Sequence, residues 1–150
     1  MDKDRVSELV LELIIRKKDL VTKMLTTTQS LEFCGDATED TENFVNTIKQ
    51  REECIEQIKS IDEQLQKPVC LEVLANPDEV LERNIKAADI SMKEDINKIT
   101  EIEKNNAPKI EKMKNEMVKH MKHANTAKNM RAVYQTDTDY FSQNSIDTKH

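Results

Sequence analysis

Tryptophan is absent from this chain, glycine occurs once, and aromatic side chains make up only 3% of its 150 residues against 35% charged ones. So few large rings cannot fill a wide globular core, which leaves a thin fold whose side chains meet along seams. No apolar run approaches the roughly 18 residues of a membrane span, and Met1 is followed by Asp2-Lys3-Asp4 where a signal peptide carries a basic flank. Neither a span nor a Sec-type leader is expected. The three cysteines, Cys34, Cys54 and Cys70, are odd in number, far apart and without a C-x-x-C pair, so neither a disulfide framework nor a zinc site is signalled, and a reducing cytoplasm suits them. Gly-rich phosphate loops and Gly-x-Ser-x-Gly elbows are missing too. Glu116, His120 and His123 share a helix face, but one helix supplies too few ligands to hold a metal. The expectation is a protein that is not an enzyme and carries no cofactor.

What the chain does have is a long apolar repeat between Pro77 and Arg131. Leu81, Ile85, Ala88, Met92, Ile96, Ile99, Ile102, Ile110, Met113, Met117, Met121 and Ala124 recur at spacings of mostly three and four, the mark of one helix stripe. Over roughly 55 residues a continuous helix forms a rod on the order of 80 Å. Asn76-Pro77 marks its start as a cap followed by a first-turn proline, and Glu82/Lys86, Asp89/Lys93 and Glu94/Lys98 line its outer face with the acid first. Pro108 interrupts it by removing a hydrogen bond to Lys104, which predicts a kink with the stripe in phase on both sides. Two helices folded into a four-helix bundle are the alternative.

Two shorter helices precede the rod. The first, about 2–33, carries Val6, Leu9, Val10, Leu13, Leu20, Val21, Met24 and Leu31 on one face. Leu11, Ile14 and Ile15 widen that stripe enough for two neighbours, and Thr26-Thr27-Thr28 weakens the helix toward its end. After Gly35, Asp36 or Thr38 caps a second helix, about 38–66, with Phe44, Ile48, Ile55, Ile58 and Leu65 inward. Arg51 falls on that stripe, either with its stem along the rim, the preferred reading, or as a buried partner for a carboxylate. Lys67-Pro68 ends the helix, and the apolar bridge 69–75 is expected to pack across the bundle's end as a short extra turn. The fold class is therefore all-α: an elongated antiparallel bundle of three long helices spanning 1–133, with a flexible tail at 134–150.

Charge and length point to a binding role. Residues 1–108 hold 15 Lys and Arg against 24 Asp and Glu, whereas 109–131 hold seven against two. The lysines are dispersed with no interleaved aromatic for base stacking, so a solvated face is favoured over nucleic acid. A hairpin of two helices of about 30 residues spans roughly 45–50 Å and cannot cover the rod. The surplus stripe is Ile110, Met113, Met117, Met121 and Ala124, whose methionines adapt to different partner helices. The competing readings are burial by a fold-back at Pro108 or self-association into a dimer. Tyr134, Tyr140 and Phe141 on the tail are candidate anchors for a partner.

Phe44 to Leu65, with Ile48, Arg51, Ile55 and Ile58 between, resembles the second helix of flagellar export chaperones of the FlgN and FliT types. Ala127-Lys128 through Tyr134, then Tyr140-Phe141 and Ser145-Ile146-Asp147-Thr148-Lys149, is similar to the endings of their Gram-positive members. The threonine triplet and Pro108 after paired asparagines depart from that pattern. The resemblance, over about 1–149, implies a cytoplasmic helical chaperone. Such a protein binds a flagellar axial subunit, keeps it from assembling early and hands it to the export apparatus. FlgN-type members serve hook-filament junction proteins and FliT-type members the filament cap protein. It places cargo binding on the C-terminal helix, here Met113, Met117, Met121 and Ala124, and on Tyr134, Tyr140 and Phe141.

Overall fold

Three long helices and one short one follow each other in the computed structural model, which describes residues 2–120 and 130–133: α1 (Lys3–Gln29), α2 (Ala37–Leu65), α3 (Pro68–Ala75) and α4 (Glu79–His120). Residues 130–133 are also helical, and no described helix is long and apolar enough to cross a membrane. The all-α bundle expected from composition is the fold. Local chemistry sets the helix ends. The Asp2 carboxylate accepts from the Asp4 N–H, and Asp36 accepts from Thr38 and Glu39 at the start of α2. For α4 the cap is Asp78, which accepts from the Leu81 N–H at 2.8 Å, and Asn76 instead closes α3. An aspartate two residues past Asn76 outcompetes it because its ionised oxygen also meets the positive end of the helix dipole.

The first helix stops at Gln29, short of the expected Phe33. Thr28 donates to the Met24 carbonyl at 2.7 Å and Ser30 to that of Thr26 at 2.8 Å, so hydroxyls bond the carbonyls of the last turns. Leu31 and Phe33, expected to continue its stripe, lie in the connection to α2. There Gly35 takes φ 97°, a backbone that side-chain-bearing residues rarely adopt.

Helix α4 runs through Pro108 without a break. Pro108 and Lys104 are both exposed, so the helix hydrogen bond that the proline removes lies on the outer side of the bundle. Its seam is the one read from the sequence: Leu81, Ala88, Met92, Ile99, Ile110, Met113 and Met117 are buried, with Ile85, Ile96 and Ile102 partly so. Helix α1 packs against α2, α3 and α4, as its wide stripe requires. Lys17 reaches Asp62 of α2 at 2.7 Å, Thr22 donates to Asp95 of α4 at 2.9 Å, and Arg51 of α2 pairs with Glu103 of α4. The rim position expected for Arg51 is thus corrected: it is 3% exposed and pairs with a carboxylate.

Those pairs define the levels of the bundle. Helices α2 and α4 are antiparallel and rise equally, about 1.5 Å per residue. With Arg51 opposite Glu103, Ile48 lies level with Asn106, Phe44 with Ile110 and Ala37 with Met117. The same counting from Lys17 and Asp62 puts Thr28 level with Arg51. Two apolar clusters result. The main one joins Val6, Val10, Met24, Ile55, Ile58, Cys70, Val73, Leu81, Met92 and Ile99; the distal one joins Phe44, Ile48, Ile110, Met113 and Met130.

Candidate partner-binding site

The distal cluster is built where α1 has already ended. Helix α2 contributes Phe44 and Ile48, α4 contributes Ile110 and Met113, and the α1–α2 connection lays Leu31 and Phe33 beside them. Asp40 holds that connection down. Its carboxylate accepts from the backbone N–H of Cys34 at 2.8 Å and of Gly35 at 3.1 Å. Burial pushes the Asp40 carboxyl up, but the hydrogen bonds from Cys34 and Gly35 outweigh it and hold it below the ordinary carboxylate value. Replacing Asp40 by alanine, which leaves two N–H groups without this acceptor, is expected to lower stability by about 1–3 kcal/mol at neutral pH. Because the folded value lies below 3.8, the carboxylate's contribution is complete above that pH and is lost as pH falls toward the folded value. Urea unfolding of both proteins at pH 7 and pH 3 checks this: the gap between them should narrow at pH 3.

The rim of the site is polar. Lys109 places its Nζ 5.9 Å from the centroid of the Phe33 ring, and Lys112, Lys119 and His120 are exposed on α4. The Cys34 thiol nearby is drawn down by the Asp36 N–H but pushed further up by Asp40 and Glu39, and burial raises that of Cys54. Both shifts run opposite to the activation of a thiol nucleophile. Among the described residues no three His, Cys, Asp or Glu side chains converge.

The residues picked from the sequence divide into two groups. Ile110, Met113 and Met117 do come to one end of the bundle, but they are buried within the chain, not left available as a surplus stripe. The register explains this: α2 begins level with Met117, so the hairpin covers the second half of α4 and leaves the first turns of α4 to α1. Met121, Ala124, Tyr134, Tyr140 and Phe141 lie outside the described residues. The sequence reading missed Met130 and Val133. Met130 is 3% exposed and packs with Ile110 and Met113, although a straight α4 would carry residue 130 roughly 30 Å beyond Ile110. The expected single rod to 133 is corrected accordingly. Their three-residue spacing was the available signal, but it carries no information on direction.

A groove at the opposite end, lined by Lys3, Val6, Val69, Glu72, Val73 and Asn76, gathers none of the predicted residues. No protein-family model, curated protein or solved structure matches this chain.

Proposed function

We propose that this protein is a helix-binding export chaperone that holds an amphipathic helix of a flagellar axial subunit against its distal cluster. One observation carries the reading: Met130, remote along the chain, is seated among Phe44, Ile48, Ile110 and Met113 with Val133 beside it. A short helical stretch with apolar residues three apart therefore fits a surface made by other segments. A partner helix with the same spacing presents the same chemistry, and methionines at the contact repack at little cost. In this reading the chain's own 130–133 stretch covers the site until cargo displaces it. The resemblance of Phe44–Leu65 and of 127–149 to the FlgN and FliT types supplies the cargo class. Hook-filament junction subunits come first and the filament cap protein is the alternative, with delivery to the export apparatus in the cytoplasm.

Co-expression of the full chain with a junction subunit, and separately with a cap subunit, tests this by size-exclusion chromatography with light scattering. A one-to-one complex with one of them is expected. Met130→Ser with Val133→Ser should tighten it about tenfold, because a competing segment that holds nine-tenths of the sites lowers apparent affinity by that factor. A chain that binds neither subunit and forms a concentration-dependent dimer instead overturns the proposal.

A further inference from the structure

Between the two apolar clusters lies a layer of polar side chains, at one level on all three long helices. Thr28 comes from α1, Thr47 and Arg51 from α2, and Glu103 and Asn106 from α4; together they line one void of about 20 Å³. Thr28, Thr47, Arg51 and Asn106 are buried. Asn106 occupies the seam position between Ile99 and Ile110 that is apolar elsewhere along α4. A buried polar residue at such a position fixes register, since it finds a suitable partner in one alignment only. Sliding α4 by seven residues would set the Arg51 guanidinium opposite Ile96 or Ile110.

Three further features coincide with this level. Helix α1 ends one residue after Thr28, so beyond it only Leu31 and Phe33 of the connection stand in its place. Pro108 removes a backbone hydrogen bond of α4 within two residues of Asn106. The apolar side chains of the two clusters form separate groups. The end of α1, the backbone hydrogen bond lost at Pro108 and the break between the two apolar clusters thus fall at nearly the same height.

We propose that the Arg51–Glu103 layer is both the register lock of the bundle and a hinge, on which the distal unit opens while the main cluster stays closed. That unit comprises the first turns of α2, α4 beyond Asn106, and residues 130–133. As control of partner access this rests on the binding role proposed above, whereas opening itself is a property of the free chain. The test therefore uses no cargo, and its failure leaves the co-expression result standing.

Hydrogen exchange followed by mass spectrometry on the full chain reads the opening. Amides of 37–48 and 109–120 are expected to exchange together, about tenfold or more faster than those of 6–25 and 81–99, as for a subunit that opens below the global transition. Pro108→Ala should slow the distal set and leave 81–99 unchanged. Arg51→Met with Glu103→Met should join the clusters and bring both sets to within about twofold, since one apolar core opens as one unit. Equal protection of both sets in the native chain overturns the hinge, as does a gap that Pro108→Ala leaves untouched. A gap that survives the double methionine change overturns the role of the polar layer; if that variant does not fold, the native and Pro108→Ala measurements still decide.

Discussion

Replacing Phe44 by alanine is expected to destabilise the protein by about 3–5 kcal/mol, the range for emptying the place of a buried ring. Phe44 is 2% exposed, lies level with Ile110 and is the largest side chain of the cluster it forms with Ile48, Ile110, Met113 and Met130. The distal unit has few large groups with which to refill the space. Its remaining neighbours are the side chains of a connection, Leu31 and Phe33, and of residues 130–133, which are not fixed by a third long helix. Collapse around the cavity should thus be incomplete, which places the cost toward the upper part of the range. At about 2–4 °C per kcal/mol for a chain of this size, the melting temperature should fall by roughly 10 °C or more. Val118→Ala, at a site 52% exposed, should stay within about 0.5 kcal/mol of the native chain and serves as the control. Thermal melts by circular dichroism compare the two, and a Phe44→Ala melt as small in effect as that of Val118→Ala would show that the ring is not part of a packed core.

Local chemistry made much of this fold legible. Spacings of three and four along α4 identify its seam because only one helix face can be covered by neighbours, and the buried residues from Leu81 to Met117 follow that spacing. Asp36 announces itself as a cap because its carboxylate reaches the free N–H groups two and three residues on. The height of α2 against α4 was not legible. An apolar seam looks alike at every turn, so nothing in Phe44, Ile48, Ile55 and Ile58 says which level of α4 they meet. The pairing of Arg51 with Glu103 carries that information, and several acids on α4, among them Glu94, Glu101 and Glu103, were equally suitable by sequence. The error about the surplus stripe follows from this one unknown. Helix lengths were nearly right, but a hairpin that starts level with α4 leaves Ile110 and Met113 bare, whereas one shifted toward the far end covers them. The end of α1 was misplaced for a different reason: Leu31 and Phe33 pack against the distal cluster from the connection, so their apolar character reflects burial there and not a continuing helix.

Glu103→Leu should be among the most damaging single changes on α4, and the addition of Arg51→Leu should reverse most of the damage. Removing the acid leaves the guanidinium in a site where its side chain is only 4% exposed, without the carboxylate it pairs with. Breaking a buried pair in this way costs roughly 3–5 kcal/mol. Glu103 keeps 28% of its side-chain exposure, which admits water to the layer and sets the cost at or below the lower end of that range. In the double variant no charge remains to be desolvated, and two leucines extend the seam between Ile99 and Ile110. Apolar replacement of a buried pair is commonly neutral or stabilising by about 1–4 kcal/mol. The sign of the second step therefore separates two accounts of the layer. If the pair stabilises the bundle, each replacement costs more than the last and the double variant is the weakest of the three proteins. If it specifies alignment, the double variant regains or exceeds native stability in urea while the helices lose their single register, which cysteines introduced at Val45 and Lys109, level with each other and outside the polar layer, would report by crosslinking in lower yield than in the native background. The position of Asn106, polar in an otherwise apolar seam and level with Ile48, favours the second account, and a double variant less stable than Glu103→Leu alone would decide for the first.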